Sequence, residues 1–169
     1  MEKWSLYNRD GTLTDKVQYR GEPIPKGMYA MACEVLVRHI DGSYLCMKRA
    51  AVKSVYPGYY ETSAGGGALW RETAYDCVKR ELWEETGISC DEFLLVGKTI
   101  DDERGFIHYT FTCTVDIDKD SIVLQEGETD GYLWMTEKEF IGFINSDRAI
   151  DTQRERFRKY FVSIGYMEQ

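Results

Sequence analysis

The 169-residue sequence predicts an α+β fold, and three observations support this prediction. Segments rich in β-prone residues both precede and follow the longest helical pattern, as in folds that pack helices against a sheet. No internal repeat, low-complexity tract or Ser/Gly/Pro-rich linker interrupts the chain. A hydrophobic content of 43% is enough to fill one core. We therefore expect a single domain over residues 1–169.

The N-terminal residues 1–27 are predicted to form a small extension that contains a β-hairpin. Segments 4–8 and 12–19 are its strands, and Asn8-Arg9-Asp10-Gly11 supplies the residues of a turn. Two core strands should follow over residues 28–40 and 44–49, because both segments are apolar and flank the turn signal Asp41-Gly42-Ser43.

A helix is predicted over residues 74–86, and both of its ends carry clear signals. Thr73 and Asp76 have the spacing of a capping box, while Gly87 suits a left-handed C-terminal residue followed by the apolar Ile88. The preceding glycine tract, residues 64–67, is expected to interrupt regular structure.

The second half of the chain should contribute three more strands and two helices. The strands are expected near residues 93–100, 106–115 and 131–135, and the helices near 137–144 and 152–164. The C-terminal helix, within residues 151–169, is amphipathic and basic. We interpret it as a docking or dimer helix rather than a nucleic-acid-binding one; its cations are Arg154, Arg156, Arg158 and Lys159.

Composition narrows the range of partners. A net charge of −8 disfavours a nucleic-acid polymer as a ligand, although a small phosphorylated ligand can still bind through a metal ion. The five cysteines are scattered and never form a CxxC pair, which favours a reducing, cytoplasmic location. No stretch of 18 apolar residues occurs, so we expect no membrane association.

Three glutamates mark the predicted helix 74–86 as a candidate catalytic element. At 100° per residue, Glu81, Glu84 and Glu85 fall within an arc of about 100°, and no Lys or Arg lies inside that arc. Clustered carboxylates on a rigid element suit Mg²⁺ or Mn²⁺, and such ions recruit phosphate oxygens. The alternative interpretation is a solvated helix face.

The full spacing decides between these interpretations. Residues 66–88 match the pattern GX5EX7REUXEEXGU, where U is aliphatic, at every required position, and so resemble the Nudix box. This resemblance implies a Nudix α/β/α sandwich, with a mixed sheet between helices, and a Mg²⁺-dependent hydrolase of a diphosphate linkage.

The resemblance also implies roles for individual residues. Glu81, Glu84 and Glu85 would bind Mg²⁺, with Glu81 also a candidate general base, and Arg80 would orient a glutamate. Glu72 would steady the junction between loop and helix. The carbonyl of Gly65 and one late-loop glutamate, Glu126 or Glu128, would complete the metal shell; Glu128 is the residue we select for the candidate site.

Residues 20–27, the pair Lys48-Arg49 and residues 57–60 resemble the Nudix branch that is similar to isopentenyl-diphosphate isomerase. In that branch Arg49 and Lys53 match basic positions that approach the diphosphate. The isomerases have a catalytic cysteine and a metal-binding histidine where this chain has Gly65 and Gly67. Hydrolysis is therefore expected rather than isomerisation.

The substrate is expected to be a nucleoside di- or triphosphate or a nucleotide sugar. Tyr59 and Tyr60, with Tyr56 and Trp70, could stack on a base, although twelve tyrosines in one domain also suggest packing. A non-catalytic nucleotide sensor and an RNA pyrophosphohydrolase are the alternatives from other classes. Homodimer formation is an expectation from the family resemblance.

Overall fold

The computed structural model describes residues 1–169 and contains nine strands and three helices. Every predicted helix and strand occurs, and each ends within two residues of its predicted position. The elements are β1 Lys3–Tyr7, β2 Leu13–Tyr19, β3 Ala30–His39, β4 Tyr44–Arg49, β5 Tyr60–Glu61, β6 Ala64–Gly67, α1 Ala74–Thr86, β7 Leu94–Asp101, β8 Phe106–Val115, β9 Thr129–Met135, α2 Glu137–Ile144 and α3 Asp151–Ser163.

Seven strands form one mixed sheet. Its main order is β5-β4-β3-β8-β7, with β6 paired to β3 and β9 paired to β4. The ladder between β3 and β8 is parallel, and the other pairs are antiparallel. The hairpin β1–β2 forms a separate two-stranded sheet, which a bridge between Tyr7 and Tyr29 joins to the start of β3.

Strand β3 shows how the sheet acquires two apolar faces. Side chains alternate along a strand, so Val35 and Val37 enter one core while Leu36 enters another. The first core includes Val78 and Leu82 of α1. The second core is built with α2 and α3, through the fully buried rings Phe140, Phe157 and Phe161. The predicted α/β/α sandwich with a mixed sheet is confirmed.

Helix α1 has the predicted bounds and caps. The Thr73 side chain accepts a hydrogen bond from the Asp76 N–H, and the Asp76 carboxylate accepts one from the Thr73 N–H. Gly87 adopts φ 73° and donates its N–H to the Trp83 carbonyl. The buried face of α1 is formed by Cys77, Val78 and Leu82, whereas Tyr75 is 52% exposed.

The glycine tract forms a strand, contrary to the expected break in regular structure. In β6, Gly65 pairs with Glu34 and Gly66 pairs with Cys33 of β3. A Cβ at Gly65 would lie 2.7 Å from the Cys33 carbonyl oxygen, so only a residue without a side chain fits. The short strand β5 is also absent from the sequence prediction.

None of the three helices combines the length and apolar character that crossing a bilayer requires.

Candidate active site

Helix α1 and strand β6 bring the predicted catalytic glutamates against the glycine tract. Glu85 is only 8% exposed, and its Oε2 accepts a hydrogen bond of 3.1 Å from the Gly65 N–H. The Glu81 carboxylate lies where a Cβ on Gly66 would be, so Gly66 leaves the space that this carboxylate occupies. Glu84 is on the outer side, with 42% of its side chain exposed. Two of the three carboxylates are therefore partly enclosed and one faces solvent.

Arg80 connects these glutamates to residues 67–72, the segment between β6 and α1, which we call the catalytic loop. Its Nε and Nη2 donate to Glu72 Oε1 and Oε2 at 2.7 and 2.9 Å, and Nη2 also donates to the Gly67 carbonyl at 3.0 Å. Its Nη1 donates to Glu81 Oε1 at 2.7 Å and to Glu84 Oε2 at 3.1 Å. Arg80 therefore contacts three glutamates at once, while its orienting role and the steadying role of Glu72 stay predictions.

The Arg80 contacts correct one step of the sequence argument. The glutamate arc contains no Lys or Arg, but the long Arg80 side chain reaches into it from outside. A helical wheel gives the direction of the Cβ atom, but the charged group of a long side chain can lie several ångströms away from that direction. Part of the repulsion among the glutamates is therefore neutralised within the protein itself.

Burial controls the electrostatics of the inner carboxylates. It raises the pKa of Glu85 well above its usual range, and the charges of Glu81 and Glu61 raise it further. The pKa of Glu81 is also raised by burial, while Arg80 acts in the opposite direction. Burial likewise raises the pKa of Glu61, opposed by the ion pair with Arg49. The site thus holds several carboxylates whose charged forms are costly without further positive charge.

These residues fit a divalent cation by donor type, although the side chains are not arranged as a finished metal shell. No three His, Cys, Asp or Glu side chains converge closely enough to hold a metal ion as they stand. The inner donors are hard carboxylate oxygens: those of Glu81 lie in the space left by Gly66, and Glu85 Oε2 accepts a hydrogen bond from the Gly65 N–H. A bound cation would compete with Arg80 Nη1 for Glu81 and Glu84.

The two late-loop glutamates are in different environments. Glu126 is exposed and its side chain makes no hydrogen bond or ion pair. Glu128 is half-buried, forms an ion pair with Lys53, and its charge contributes to the raised pKa of Glu85. Of these two residues, Glu128 is therefore the one electrostatically linked to the carboxylate cluster.

A cleft of about 390 Å³ opens beside Gly65 and Gly66. It is bounded by β3, β6, the loop of residues 50–59, and the start of α3. Three arginines and two glutamates line it, and each glutamate is paired with one arginine. The polar and aromatic side chains that line the cleft are Glu34, Arg49, Tyr56, Glu61, Arg104, His108, Gln153 and Arg156.

Two of the predicted substrate-binding residues lie at or near this cleft. Arg49 lines it and donates from Nη1 to Glu61 Oε2 at 2.9 Å. Lys53 is joined to the carboxylate cluster through its ion pair with Glu128.

The structure does not bring the predicted tyrosines to the same place. Tyr59 and Tyr60 line a different pocket of about 400 Å³, formed with apolar residues of β9 and α2. Trp70 contacts the N-terminal hairpin, with the Lys3 Nζ 4.2 Å from its ring centroid. Only Tyr56, in a positive-φ conformation of 50°, lines the cleft beside the glycine tract. Tyr56 and Tyr59 contact each other, with ring centroids 5.3 Å apart, but they line different pockets.

Several cleft residues were not identified from the sequence. Glu34 and Glu61 are charged residues inside β-prone segments. Because charged residues are seldom buried in strands without a partner, their presence there could have indicated a functional site. Arg156 donates to both Glu34 oxygens, at 2.7 Å from Nε and 2.5 Å from Nη2, although α3 was interpreted only as a docking helix. His108 has a buried Nδ1 with no hydrogen-bond partner. No sequence signal placed His108 or Arg104 near residues 40 or more positions away.

The chain is similar in sequence to known Nudix proteins. The family model described as NUDIX domain matches residues 28–160. An uncharacterized Nudix hydrolase of Listeria monocytogenes is 34% identical over 151 residues, which cover 89% of each chain. An isopentenyl-diphosphate Delta-isomerase of Corynebacterium diphtheriae is 26% identical over 127 residues, covering 70% of this chain and 68% of the isomerase.

Solved structures show the same fold. A Deinococcus radiodurans protein superposes with a TM-score of 0.74 at 18% identity, covering 94% of this chain and 99% of that one. The NUDIX domain of Shewanella oneidensis NrtR, complexed with ADP ribose, superposes with a TM-score of 0.59 at 13% identity, covering 79% and 88%. At these identities the superpositions establish the fold alone.

Proposed function

Because the chain belongs to the Nudix hydrolase family, we propose that it is a Mg²⁺-dependent enzyme that hydrolyses the diphosphate linkage of a nucleoside diphosphate derivative. The observation that carries this proposal is the partly enclosed Glu81 and Glu85 pair at the edge of a cleft lined by three arginines. Carboxylates that bind a cation and arginines that bind phosphates are complementary parts of one diphosphate site.

Glu81, Glu84 and Glu85 would hold the Mg²⁺ ion, and Glu128 and the Gly65 carbonyl would supplement them. When bound, the ion neutralises charge on the diphosphate and orients it for attack by water. Glu81 Oε2 is the oxygen that Arg80 does not engage, so it can accept the proton of the attacking water. Arg80, held by Glu72, keeps Glu81 in place.

The cleft supports a nucleotide-sized substrate. Its volume of about 390 Å³ lies in the range of small-molecule sites. Arg104 makes no side-chain ion pair, so three arginines against two glutamates leave excess positive charge in a protein of net charge −8. Arg49 and Lys53 would meet the diphosphate, and Tyr56 offers a ring for a base. The ADP ribose bound by the Shewanella domain is a ligand of this chemical class.

The substrate class we propose is a nucleoside di- or triphosphate or a nucleotide sugar. The isomerase-like alternative is disfavoured because Gly65 and Gly67 carry no side chain that could act as the cysteine and histidine of that reaction. A non-catalytic sensor would bind the same ligands without turnover.

The test is a phosphate-release screen over nucleoside diphosphates, triphosphates and nucleotide sugars with Mg²⁺. Glu84→Gln and Glu85→Gln should each lower kcat on the best substrate by about two orders of magnitude, because each removes a charged metal ligand. Glu92→Gln, an exposed glutamate outside the site, is the matched control and should leave kcat within about twofold.

Two other results would contradict the proposal. Equal turnover by wild type and both active-site variants would show that these carboxylates do not serve the reaction. A wild-type protein that binds nucleotide derivatives but hydrolyses none of them would support the sensor alternative.

A further inference from the structure

The N-terminal hairpin lies outside residues 28–160 that match the family model, yet its first strand is buried against the catalytic loop. Ser5, Leu6 and Tyr7 of β1 are each no more than 5% exposed. A hairpin that only decorated the surface would leave such residues largely in solvent. The covered segment is residues 67–72, which connects the glycine strand to α1.

Alternate residues of β1 contact successive positions of this loop. The Lys3 carbonyl accepts a hydrogen bond of 2.7 Å from the Trp70 N–H. Ser5 Oγ accepts one of 2.8 Å from the Arg71 N–H, and the Tyr7 hydroxyl donates to the Glu72 carbonyl at 3.4 Å. Because side chains on a strand repeat every second residue, one face of β1 follows the loop.

The hydrogen bond from Arg71 to Ser5 holds an uncommon backbone conformation. Arg71 has φ 65°, in the left-handed region that residues other than glycine seldom adopt. Ser5 is 1% exposed, so water cannot easily replace its hydroxyl. The hairpin thus supplies the acceptor for the one amide of this loop that lies in a strained turn.

The turn at Arg71 determines where Glu72 lies. The Glu72 Oε2 accepts hydrogen bonds from the Leu69 N–H at 2.8 Å and from Arg80 Nη2 at 2.9 Å. Arg80 in turn contacts Glu81 and Glu84. Ser5 is therefore connected to the proposed metal ligands by a continuous series of hydrogen bonds and by the peptide bond between Arg71 and Glu72.

We propose that Ser5 is a positioning residue of the active site: by holding Arg71 it fixes Glu72 and Arg80, and through them the geometry of the metal-binding glutamates. This inference rests on the proposed hydrolase function. It assigns the N-terminal extension a role in the reaction, although the extension contributes no group that touches substrate.

The experiment compares Ser5→Ala with Thr14→Ala in the full-length protein. Thr14 is the matched control, because its hydroxyl bonds the Leu6 carbonyl inside the hairpin and does not contact the loop. Ser5→Ala should lower kcat about tenfold or more with KM changed less than about threefold, and should weaken Mn²⁺ binding measured by electron paramagnetic resonance. Thr14→Ala should leave kcat within about twofold.

Arg71→Gly provides the rescue. Glycine adopts positive φ freely, so the double variant Ser5→Ala/Arg71→Gly should recover most of the kcat lost in Ser5→Ala. Amide hydrogen exchange at residues 69–72 should accelerate in Ser5→Ala and not in Thr14→Ala. Tyr7→Phe keeps the ring and loses only the hydroxyl, and it should also lower kcat. This variant replaces Ser5→Ala in the experiment if Ser5→Ala does not fold.

Unchanged kcat, Mn²⁺ affinity and amide exchange in Ser5→Ala would overturn the proposal. A kcat loss that Arg71→Gly does not recover, or that Thr14→Ala shows equally at a matched melting temperature, would also overturn it. If the wild-type protein hydrolyses no substrate, the proposed function fails by itself. Amide exchange at residues 69–72 and Mn²⁺ binding then still decide whether Ser5 positions the loop.

Discussion

Arg80 is the residue through which most of the candidate site is organised. Its guanidinium group contacts Glu72, the Gly67 carbonyl, Glu81 and Glu84, so a single side chain connects the loop to the helix. The planar five-donor group makes this possible, and a lysine could not replace it. A cation bound by Glu81 and Glu84 would compete with Arg80 for carboxylate oxygens, and this would couple metal binding to the position of Arg80.

Because of His108, we expect the free energy of unfolding to depend on pH. Burial lowers its pKa from the usual value of 6.5, and the Arg156 charge lowers it further, so the folded protein disfavours the protonated ring. The unfolded chain has no such penalty. As the pH falls below about 6.5, the unfolded state therefore binds more protons and stability decreases until the folded pKa is reached.

The measurement is the melting temperature at pH 7.5 and pH 5.5 for wild type and His108→Gln. The variant cannot titrate at this position, so its melting temperature should fall by less than that of wild type. Equal decreases in both proteins would mean that His108 does not contribute to the acid sensitivity.

At the scale of elements, helix α1 and strand β6 form the unit that positions the candidate metal ligands. The helix was predictable because its caps and its glutamates lie within one local segment. The strand was not, because it consists mostly of glycine and pairs with β3 only through contacts distant in sequence. Glycine has little strand preference, and here the close approach of Cys33, Glu34 and Glu81 requires it.

The capping box of α1 gives a prediction at this scale. Thr73→Ala should lower the free energy of unfolding by about 1 kcal/mol, because the Asp76 N–H loses its acceptor. It should also reduce kcat, since the cap follows Glu72 directly and holds the end of the catalytic loop. Chemical denaturation and steady-state kinetics measure both effects.

Helix α2 supplies the control, because Thr136 and Glu139 form the same capping box away from the site. Thr136→Ala should cost a similar free energy of unfolding and leave kcat unchanged. Loss of kcat in both variants to the same extent would show that general stability, and not the loop, explains the effect.

At the scale of the whole molecule, two cores lie on the two faces of one sheet, and elements from both faces contribute to the site. Helix α1 packs in the first core, and helices α2 and α3 pack in the second. Helix α3 was expected to dock or to form a dimer; it packs on the chain's own sheet through Phe157 and Phe161 and carries Gln153 and Arg156 into the cleft. Homodimer formation and a single domain over residues 1–169 stay predictions.

Coupling between the second core and the cleft can be tested with Phe157→Leu. Loss of ring volume in this fully buried position should lower the free energy of unfolding by roughly 1–2 kcal/mol. Because α3 then shifts Gln153 and Arg156, KM for the best substrate should rise severalfold with kcat little changed.

Phe140→Leu is the matched control, since Phe140 is equally buried in the same core but belongs to α2, whose residues do not line the cleft. It should lose similar stability without a change in KM. A KM increase in both variants would show that the core as a whole, and not α3, determines substrate affinity.

The sequence by itself determined the elements that depend on local signals. Alternation and turn residues predicted most of the strands, the capping box and Gly87 predicted both ends of α1, and the spacing of residues 66–88 indicated the family. These features are readable because hydrogen bonding and residue spacing act over a few positions.

Only the tertiary structure decided what lies around the glutamates. It brought Glu34, Glu61, His108 and Arg156 to the site, placed Tyr59 at a pocket other than the cleft, and packed β1 against the catalytic loop. The Ser5–Arg71 and Glu34–Arg156 contacts join residues 66 and 122 positions apart, and they follow from strand pairing and core packing. Such contacts leave no periodic pattern along the chain, because each depends on how distant strands and helices pack in the folded protein.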